Sequence, residues 1–158
     1  MLRIGLIADT HGLWDARVPA LFKGVSHIIH AGDVGAEKVV EKLERIAPVT
    51  VVKGNTDIGD CAAYPEFTLV VLDDVRFFIT HILGKSAGMR LNVAEAIHCS
   101  TPDVVVYGHT HQHVAEHIGQ RIFINPGSAG PRRFLLPRTV AEATFEGGRV
   151  TVDFHDLD

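Results

Sequence analysis

The feature that most constrains this chain is a repeated junction at which a short apolar run ends in glycine, aspartate, asparagine or histidine. Apolar runs of about four to eight residues bounded by such residues predict buried strands. Five of these runs cover residues 2–8, 27–31, 49–53, 77–80 and 104–107. The polar residues that follow them are Asp9, His11, Asp33, Asn55, His81, His109 and His111. Because the carboxyl ends of parallel strands line one edge of an open sheet, we expect these side chains to converge.

Helical patterns separate the early strands. Residues 36–46 repeat apolar side chains at helical spacing with charged residues outward, which predicts an amphipathic helix. Residues 15–22 predict a weaker helix that Pro19 complicates, and residues 87–98 predict one further helix. Alternation of strand and helix indicates right-handed crossovers and parallel strands.

The pattern changes after Pro65. Residues 67–72 and 76–80 flank Asp73 and Asp74, a pair that predicts a tight hairpin. Four later runs, at 114–118, 121–125, 139–145 and 150–155, predict antiparallel strands joined by glycine turns. We expect this tail to form a second sheet packed on the first. The predicted fold class is α/β, a four-layer α/β/β/α sandwich with two mixed β-sheets.

Length and composition narrow the class of protein. A chain of 158 residues predicts one domain spanning residues 1–158. With 46% hydrophobic and 22% charged residues, the composition excludes disordered, collagen-like and coiled-coil proteins. The sequence shows no apolar run long enough for a membrane helix and no signal peptide pattern, so we expect a cytoplasmic protein without a membrane partner. The net charge of −4 argues against polymeric nucleic acid as a partner.

The seven polar residues at the strand ends have the chemistry of metal ligands. They offer carboxylate, amide and imidazole groups without thiolate, a set that suits manganese, iron, zinc or a similar cation. Seven ligands exceed one coordination sphere and match two ions that share a bridging carboxylate at about 3.5–4 Å. Taken singly, each aspartate also fits a helix cap or a turn. Their combination at five strand ends favours the metal interpretation.

With these junctions in this order, the chain resembles the calcineurin-like metallophosphoesterases, and specifically their small single-domain bacterial and archaeal phosphodiesterases. The matching blocks are Asp9-Thr10-His11, Gly32-Asp33, Gly54-Asn55, His81, Gly108-His109-Thr110-His111 and Asn125-Pro126-Gly127-Ser128. The resemblance implies that one metal is held by Asp9, His11 and His111. It implies that the other metal is held by Asn55, His81 and His109, with Asp33 bridging the two.

The resemblance also implies a function. It indicates a metal-dependent phosphoric diester hydrolase that cleaves small phosphodiesters, nucleotides among the candidates, by attack of a metal-bridging hydroxide. The expected cofactors are two divalent metal ions, Mn²⁺ first, with Fe, Zn or Ni as alternatives. The expected catalytic residues are Asp33, Asn55 and His109. A homo-oligomer is compatible with the sequence, which does not fix the oligomeric state.

Two departures from the family pattern bear on the site. Thr56 stands where the broader superfamily often has a histidine, so the proton donor to the leaving group has no assigned residue. Ile82 and Leu83 follow His81 where a small glycine is often found, which suggests either a narrower pocket or a reoriented loop.

Three residues are candidate substrate contacts: Asp57, Arg132 and Arg133. Asp57 fits two roles equally, orientation of a ligand histidine or formation of a turn. The two arginines lie in a loop opened by Gly130 and Pro131, where they fit either phosphate oxygens or a solvated surface.

Two other function classes match parts of the sequence. A non-catalytic scaffold on the same fold, like the retromer scaffold subunit, is the main alternative. In that class the ligand histidines are partly lost, so the intact set His11, His81, His109 and His111 favours an enzyme. A metallo-β-lactamase-like hydrolase requires His-x-His-x-Asp-His, and His113 stands where the aspartate is needed, which excludes this class.

Overall fold

The computed structural model describes residues 1–85, 88–89 and 91–158, and this part of the chain forms two five-stranded sheets, a two-stranded ribbon and three α-helices. The strands are β1 (Leu2–Ile7), β2 (His27–His30), β3 (Val49–Val51), β4 (Phe67–Leu72), β5 (Val75–Thr80), β6 (Gly84–Lys85), β7 (Gly88–Met89), β8 (Val104–Val106), β9 (Val114–Ile118), β10 (Arg121–Asn125), β11 (Thr139–Glu146) and β12 (Arg149–Asp156). The helices are α1 (Val18–Leu21), α2 (Glu37–Glu44) and α3 (Leu91–Ser100), with a 3₁₀ helix at Gly59–Ala63. Among the described helices, none has the length and apolar character needed to cross a membrane.

The first sheet has the strand order β12-β11-β1-β2-β3. Strands β1, β2 and β3 are parallel, with Ile4 opposite His27 and Ile28 opposite Val49. Strand β11 runs antiparallel along the other edge of β1, and β12 pairs with β11. The carboxyl ends of three parallel strands therefore lie side by side in this sheet.

The second sheet has the order β4-β5-β8-β10-β9. Strands β5, β8 and β10 are parallel, and β4 and β9 pair antiparallel at the two edges. The β4–β5 hairpin reverses at Asp73 and Asp74, whose φ angles are 48° and 67°. Both lie in the left-handed region that a two-residue hairpin turn requires, so the predicted hairpin is confirmed.

Three apolar layers hold the elements together. The layer between the sheets includes Ile4, Leu6, Phe77 and Val106. A second layer packs α1 and α2 on the outer face of the first sheet, and a third packs α3 on the outer face of the second. Because helices cover both outer faces, the predicted four-layer α/β/β/α sandwich with two mixed sheets is confirmed.

The predicted place of the tail is wrong in detail. Its strands do not make the second sheet by themselves: β9 and β10 join the sheet of the β4–β5 hairpin, and β11 and β12 join the first sheet. Strand β10 is also parallel to β8, where an antiparallel tail was expected. The physical reason lies at β1, whose free edge pairs with β11 while Ala141 and Ala143 enter the layer between the sheets.

Helix boundaries differ from the sequence pattern at two places. Helix α1 covers four residues and begins only at Val18, which places Pro19 in its first turn, where the missing N–H costs no helical hydrogen bond. Before it, Asp15 accepts a hydrogen bond from the Arg17 backbone N–H. The helix predicted over residues 87–98 begins at Leu91, and residues 88–89 belong to β7. Residue Ala87 lies outside the described residues. Helix α2 lies within the predicted range 36–46.

Candidate metal centre

Two buried carboxylates and three imidazoles meet where the parallel strands end. The Asp9 Oδ1 atom lies 3.4 Å from Nε2 of His111, 3.8 Å from Nε2 of His81 and 3.9 Å from Nε2 of His11. The Asp33 Oδ2 atom lies 3.2 Å from Nε2 of His81 and 3.8 Å from Nε2 of His11. The structure therefore brings together side chains that are up to about a hundred residues apart in sequence.

Asn55 and His109 complete the cluster. The Asn55 Oδ1 atom lies 2.9 Å from Nε2 of His81 and 3.0 Å from Nδ1 of His109. The rings of His81 and His109 stand edge to face, with centroids 5.3 Å apart. All seven candidate ligands thus converge at one end of the sandwich.

Two groups of ligand atoms in this cluster are close enough to share an ion. One comprises Asp9, His11 and His111, the other Asp9, Asp33 and His81, and within each the ligand atoms lie within 4.8 Å of one another. Asp33 Oδ2 faces both His11 and His81, as a bridging oxygen would, and Asp9 Oδ1 occupies a comparable position. The choice of Asp33 as the bridge stays a prediction.

Two atoms of this cluster are buried without a hydrogen-bond partner in the described part of the chain: Asp9 Oδ1 and His11 Nε2. Leaving one such group unsatisfied costs about 1–3 kcal/mol, more if it is charged. A cation in contact with both atoms removes this cost, and both atoms are ordinary metal ligands. The donor set therefore fits a divalent metal.

The backbone is held in an uncommon conformation at five candidate ligands. Asp9, His11, Asp33, His109 and His111 have φ angles between 47° and 71°. Such left-handed backbone costs a non-glycine residue of the order of 1–2 kcal/mol and is concentrated at functional sites. Here it turns the chain sharply after β1, β2 and β8, so that residues close in sequence point into the same space.

Each carboxylate is oriented by a backbone amide. Thr56 N–H donates to Asp33 Oδ1 at 2.9 Å, and His109 N–H donates to Asp9 Oδ2 at 3.1 Å. The second oxygen of each carboxylate faces the imidazoles. These bonds fix the orientation of the two acidic ligands before any ion binds.

His81 is oriented in the same way. Its Nδ1–H lies 2.8 Å from the Ala31 carbonyl oxygen and donates to it, which leaves Nε2 directed at the cluster. A backbone carbonyl in this position fixes the tautomer of a ligand histidine. The ring packs so close to Gly32 that a Cβ there would lie 2.8 Å from the His81 ring, which explains the glycine.

The cluster shifts the pKa values of its members. Burial opposes ionisation of Asp33, but hydrogen bonds from His81 and the Thr56 backbone outweigh it and hold the pKa of Asp33 below its usual range. Burial lowers the pKa of His11 and of His109, so both imidazoles favour the neutral form that binds metal. For His81, burial is outweighed by the bond to Asp33 and the charge of Asp9, which raise its pKa.

A buried histidine that the ligand pattern did not identify holds two site loops together. His30 Nδ1 accepts a hydrogen bond from the Gly32 backbone at 3.2 Å, and its Nε2 lies 2.9 Å from Thr10 Oγ1. The Thr10 hydroxyl donates to the Val34 carbonyl at 2.8 Å. His30 therefore joins the loop after β1 to the loop after β2. Its position at the end of a buried strand predicts packing or hydrogen bonding, and the structure confirms this.

The block of residues 125–128 also holds ligand loops. Asn125 Nδ2 donates to the Gly108 carbonyl and to Thr110 Oγ1, both at 3.0 Å. Ser128 Oγ donates to the Asp9 carbonyl at 3.1 Å. The sequence motif singled these residues out, and the structure gives them the role of positioning the loops that carry Asp9 and His109.

Asp57 is engaged by the backbone. Its carboxylate accepts N–H bonds from Val34 at 3.2 Å, Gly35 at 2.9 Å and Gly54 at 2.8 Å. Of the two roles left open by the sequence, this geometry supports the turn-forming one. It lends no support to Asp57 as a substrate contact.

The two candidate arginines are exposed and have different partners. Arg132 forms an ion pair with Asp158 at 2.7 Å. The charge of Arg133 adds to burial in lowering the pKa of His11. Of the two, Arg133 is therefore the one whose charge acts on a candidate ligand.

Solvent reaches the cluster from one side. Asp9, Asp33, His81 and His111 are buried, whereas Asn55 and His109 are exposed. Cavities of about 230 Å³ and 270 Å³ lie beside these two residues. The larger cavity of about 530 Å³ is at the opposite end of the sandwich, and none of the seven candidate ligands lines it.

Comparisons with known proteins agree with this geometry. A model of the calcineurin-like phosphoesterase superfamily domain matches residues 2–148. A phosphodiesterase of Methanocaldococcus jannaschii is 32% identical over 148 residues, which cover 80% of this chain and 83% of the relative.

Two solved structures share the fold. A Streptococcus pneumoniae protein described as a predicted phosphoesterase superposes with a TM-score of 0.80 at 24% identity and covers 99% of this chain and 90% of its own. A single mutant of Vps29 from Entamoeba histolytica superposes with a TM-score of 0.76 at 18% identity. The match covers 99% of this chain and 100% of the Vps29 chain. At these identities the likeness shows the fold alone. The family match over residues 2–148 carries the assignment: the chain belongs to the calcineurin-like phosphoesterase superfamily.

Proposed function

We propose that this protein is a metal-dependent phosphodiesterase, one domain that hydrolyses small phosphodiesters at a dinuclear metal site. The observation that carries this proposal is the pair of buried, unpartnered ligand atoms, Asp9 Oδ1 and His11 Nε2, at the meeting point of seven ligand-type side chains. Relatives named phosphodiesterase in Methanocaldococcus jannaschii and Escherichia coli support the substrate class.

The proposed ligand sets follow the sequence prediction. Asp9, His11 and His111 would hold one ion, and Asn55, His81 and His109 the other, with Asp33 shared. Bound there, two divalent cations would lower the pKa of a water to supply the nucleophile and would neutralise charge on the phosphoryl oxygens. Mn²⁺ is the proposed metal, and Fe, Zn and Ni are the alternatives.

The chain itself provides orientation and access. The amides of Thr56 and His109 hold the two carboxylates, and the Ala31 carbonyl holds the His81 ring, so the ligands need little rearrangement. Asn55 and His109 lie on the exposed side, where the phosphoryl group enters. Arg133 is the proposed contact for a phosphate oxygen, since a guanidinium fits phosphate geometry.

The structure offers no clear proton donor to the leaving group at position 56. Thr56 is exposed, and both oxygens of the adjacent Asp57 are used by backbone amides. A neutral threonine hydroxyl is a poor general acid at neutral pH. We infer that the leaving oxygen departs with little help from a side chain at this position.

The alternative, a non-catalytic scaffold on the same fold, is less well supported. A scaffold gains nothing from buried unpartnered ligand atoms or from left-handed backbone at five ligands. A small phosphodiester, with nucleotides among the candidates, and a cytoplasmic location complete the proposal.

The test is hydrolysis by metal-free protein reconstituted with Mn²⁺, Fe²⁺, Zn²⁺ or Ni²⁺. The panel contains bis(4-nitrophenyl) phosphate, cyclic and linear nucleotide diesters, and 4-nitrophenyl phosphate as the monoester. We expect diester hydrolysis that depends on added metal and exceeds monoester hydrolysis. The matched control is His117→Ala, which replaces an exposed histidine on β9 and should keep full activity. Metal binding without hydrolysis of any diester would support the scaffold instead.

A further inference from the structure

Two cavities open beside the exposed side of the cluster of candidate metal ligands. The first, called here the Lys53 pocket, has a volume of about 230 Å³, and its walls include Lys53, Asn55, Glu66, His81 and Ile82. The second, the Tyr107 pocket, has a volume of about 270 Å³, and its walls include Ile82, Leu83, Tyr107 and His109. Among the described lining residues, Ile82 is the one that both pockets share.

The two pockets border neighbouring candidate ligands. Asn55 and His81 line the Lys53 pocket, and His109 lines the Tyr107 pocket. The Asn55 side-chain oxygen lies within 3.0 Å of a ring nitrogen of each histidine. A phosphoryl group held against these three side chains therefore borders both pockets. A phosphodiester carries two ester groups and a phosphomonoester only one, so the arrangement matches a diester.

The walls of the Tyr107 pocket are largely apolar, with Ile82, Leu83 and Tyr107 beside the polar His109 and Thr110. Leu83 packs against the buried layer that contains Phe78, Val93 and Tyr107. Burial raises the pKa of Tyr107, so its hydroxyl stays neutral at physiological pH. Apolar side chains and one aromatic ring favour a flat, apolar ligand group.

The Lys53 pocket is polar by comparison. Its lining includes Lys53, Glu66 and Thr80, residues with an ammonium, a carboxylate and a hydroxyl group. The opposite charges of Lys53 and Glu66 leave the pocket without a strong net charge, and these side chains include both hydrogen-bond donors and acceptors. Such walls favour an ester group that forms hydrogen bonds.

We propose that Ile82 determines substrate specificity by dividing the substrate space into these two pockets, each of which receives one ester group of the same phosphodiester. The Tyr107 pocket takes the apolar group, aromatic for preference, and the Lys53 pocket takes the hydrogen-bonding group. The inference rests on the proposed phosphodiesterase function and names its substrate class, an unsymmetrical diester.

The test measures binding of two probes, diphenyl phosphate and dimethyl phosphate, to the Mn²⁺-loaded protein by calorimetric titration. Ile82→Phe enlarges the shared wall, so it should weaken the binding of diphenyl phosphate about 10-fold or more. Dimethyl phosphate fills neither pocket, so its affinity should change less than about twofold. The matched control is Ile58→Phe, because Ile58 is 82% exposed and lines neither pocket. This control should bind both probes as the wild type does.

A second variant covers the case in which Ile82→Phe fails to fold. Leu83→Ala removes part of the apolar wall of the Tyr107 pocket alone. It should therefore weaken the binding of diphenyl phosphate about 10-fold and leave the affinity for dimethyl phosphate unchanged. Equal weakening of both probes, or an unchanged affinity for diphenyl phosphate, would overturn the proposal. A wild type that binds dimethyl phosphate as tightly as diphenyl phosphate would overturn it as well.

Failure of the proposed function gives a different result. If the probes follow the expected pattern but no diester is hydrolysed with any metal, the pockets stand and the phosphodiesterase function fails. If diesters are hydrolysed while Ile82→Phe and Leu83→Ala affect both probes equally, the function stands and the division by Ile82 fails.

Discussion

Protonation of His30 should destabilise the folded chain, because the fold fixes this ring in its neutral form. His30 is fully buried, and burial lowers its pKa to about 4. Thr10 gives its hydroxyl proton to the Val34 carbonyl, so it accepts from His30 Nε2–H. His30 Nδ1 in turn accepts the Gly32 N–H, and a proton on Nδ1 would break that bond.

The size of the effect follows from the two pKa values. The ordinary histidine pKa is 6.5, so between about pH 6.5 and 4 the unfolded chain holds a proton that folded His30 does not. The free energy of unfolding therefore falls as the pH drops through this window. At 1.36 kcal/mol per pKa unit, the total loss from His30 is about 3 kcal/mol, and about 2 kcal/mol of it occurs between pH 7 and 4.5.

Urea unfolding of the metal-free protein, followed by circular dichroism at about pH 7 and pH 4.5, measures this loss. His30→Gln lacks the titrating ring, so the stability gap between wild type and variant should shrink by about 2 kcal/mol across the range. His117→Gln, which replaces an exposed histidine, should keep the wild-type dependence on pH. Identical slopes for the wild type and His30→Gln would refute the reasoning.

Three further predictions concern the site. Asp33→Asn should lower the content of bound metal at both positions, whereas His111→Ala should lower it mainly at one; elemental analysis after dialysis decides, and unchanged content in Asp33→Asn would exclude a bridge. Gly54→Ala should cost about 1–3 kcal/mol in stability and weaken metal binding, because its Cβ would overlap Asp33 Oδ1 and the Asp33 backbone nitrogen. A normal Tm with normal metal affinity would contradict this. With Thr56 in place of a histidine, kcat/KM should fall steeply as the leaving-group pKa rises from nitrophenol to alkyl alcohols, and Thr56→His should flatten the slope. A flat wild-type dependence would reveal a proton donor elsewhere.

The sequence predicted the ligand cluster because each strand end carries its own local signal. An apolar run that stops at Gly-Asp or Gly-Asn places a polar side chain at the sheet edge, whichever sheet the strand joins. The five strands belong to two facing sheets rather than one. Their carboxyl ends still meet, which is why the predicted set converges although the tail was placed wrongly.

The errors arise where the structure depends on distant contacts. Strand β11 pairs with β1 because Ala141 and Ala143 complete the layer between the sheets, and alternation of polar and apolar residues does not reveal that partner. The role of Asp57 depends on three amides from two loops. The role of His30 depends on Thr10, which is 20 residues earlier in the chain. Such partners become visible only once the fold has brought the loops together.

The most direct test of the central claim is a titration of metal-free protein with Mn²⁺ that records bound metal and hydrolysis of bis(4-nitrophenyl) phosphate in the same samples. Two ions sharing one carboxylate predict saturation at two equivalents per chain, with full activity only when both are bound. Addition of a chelator should then abolish hydrolysis. Saturation at one equivalent, or diester hydrolysis that survives complete removal of the metal, would contradict the account.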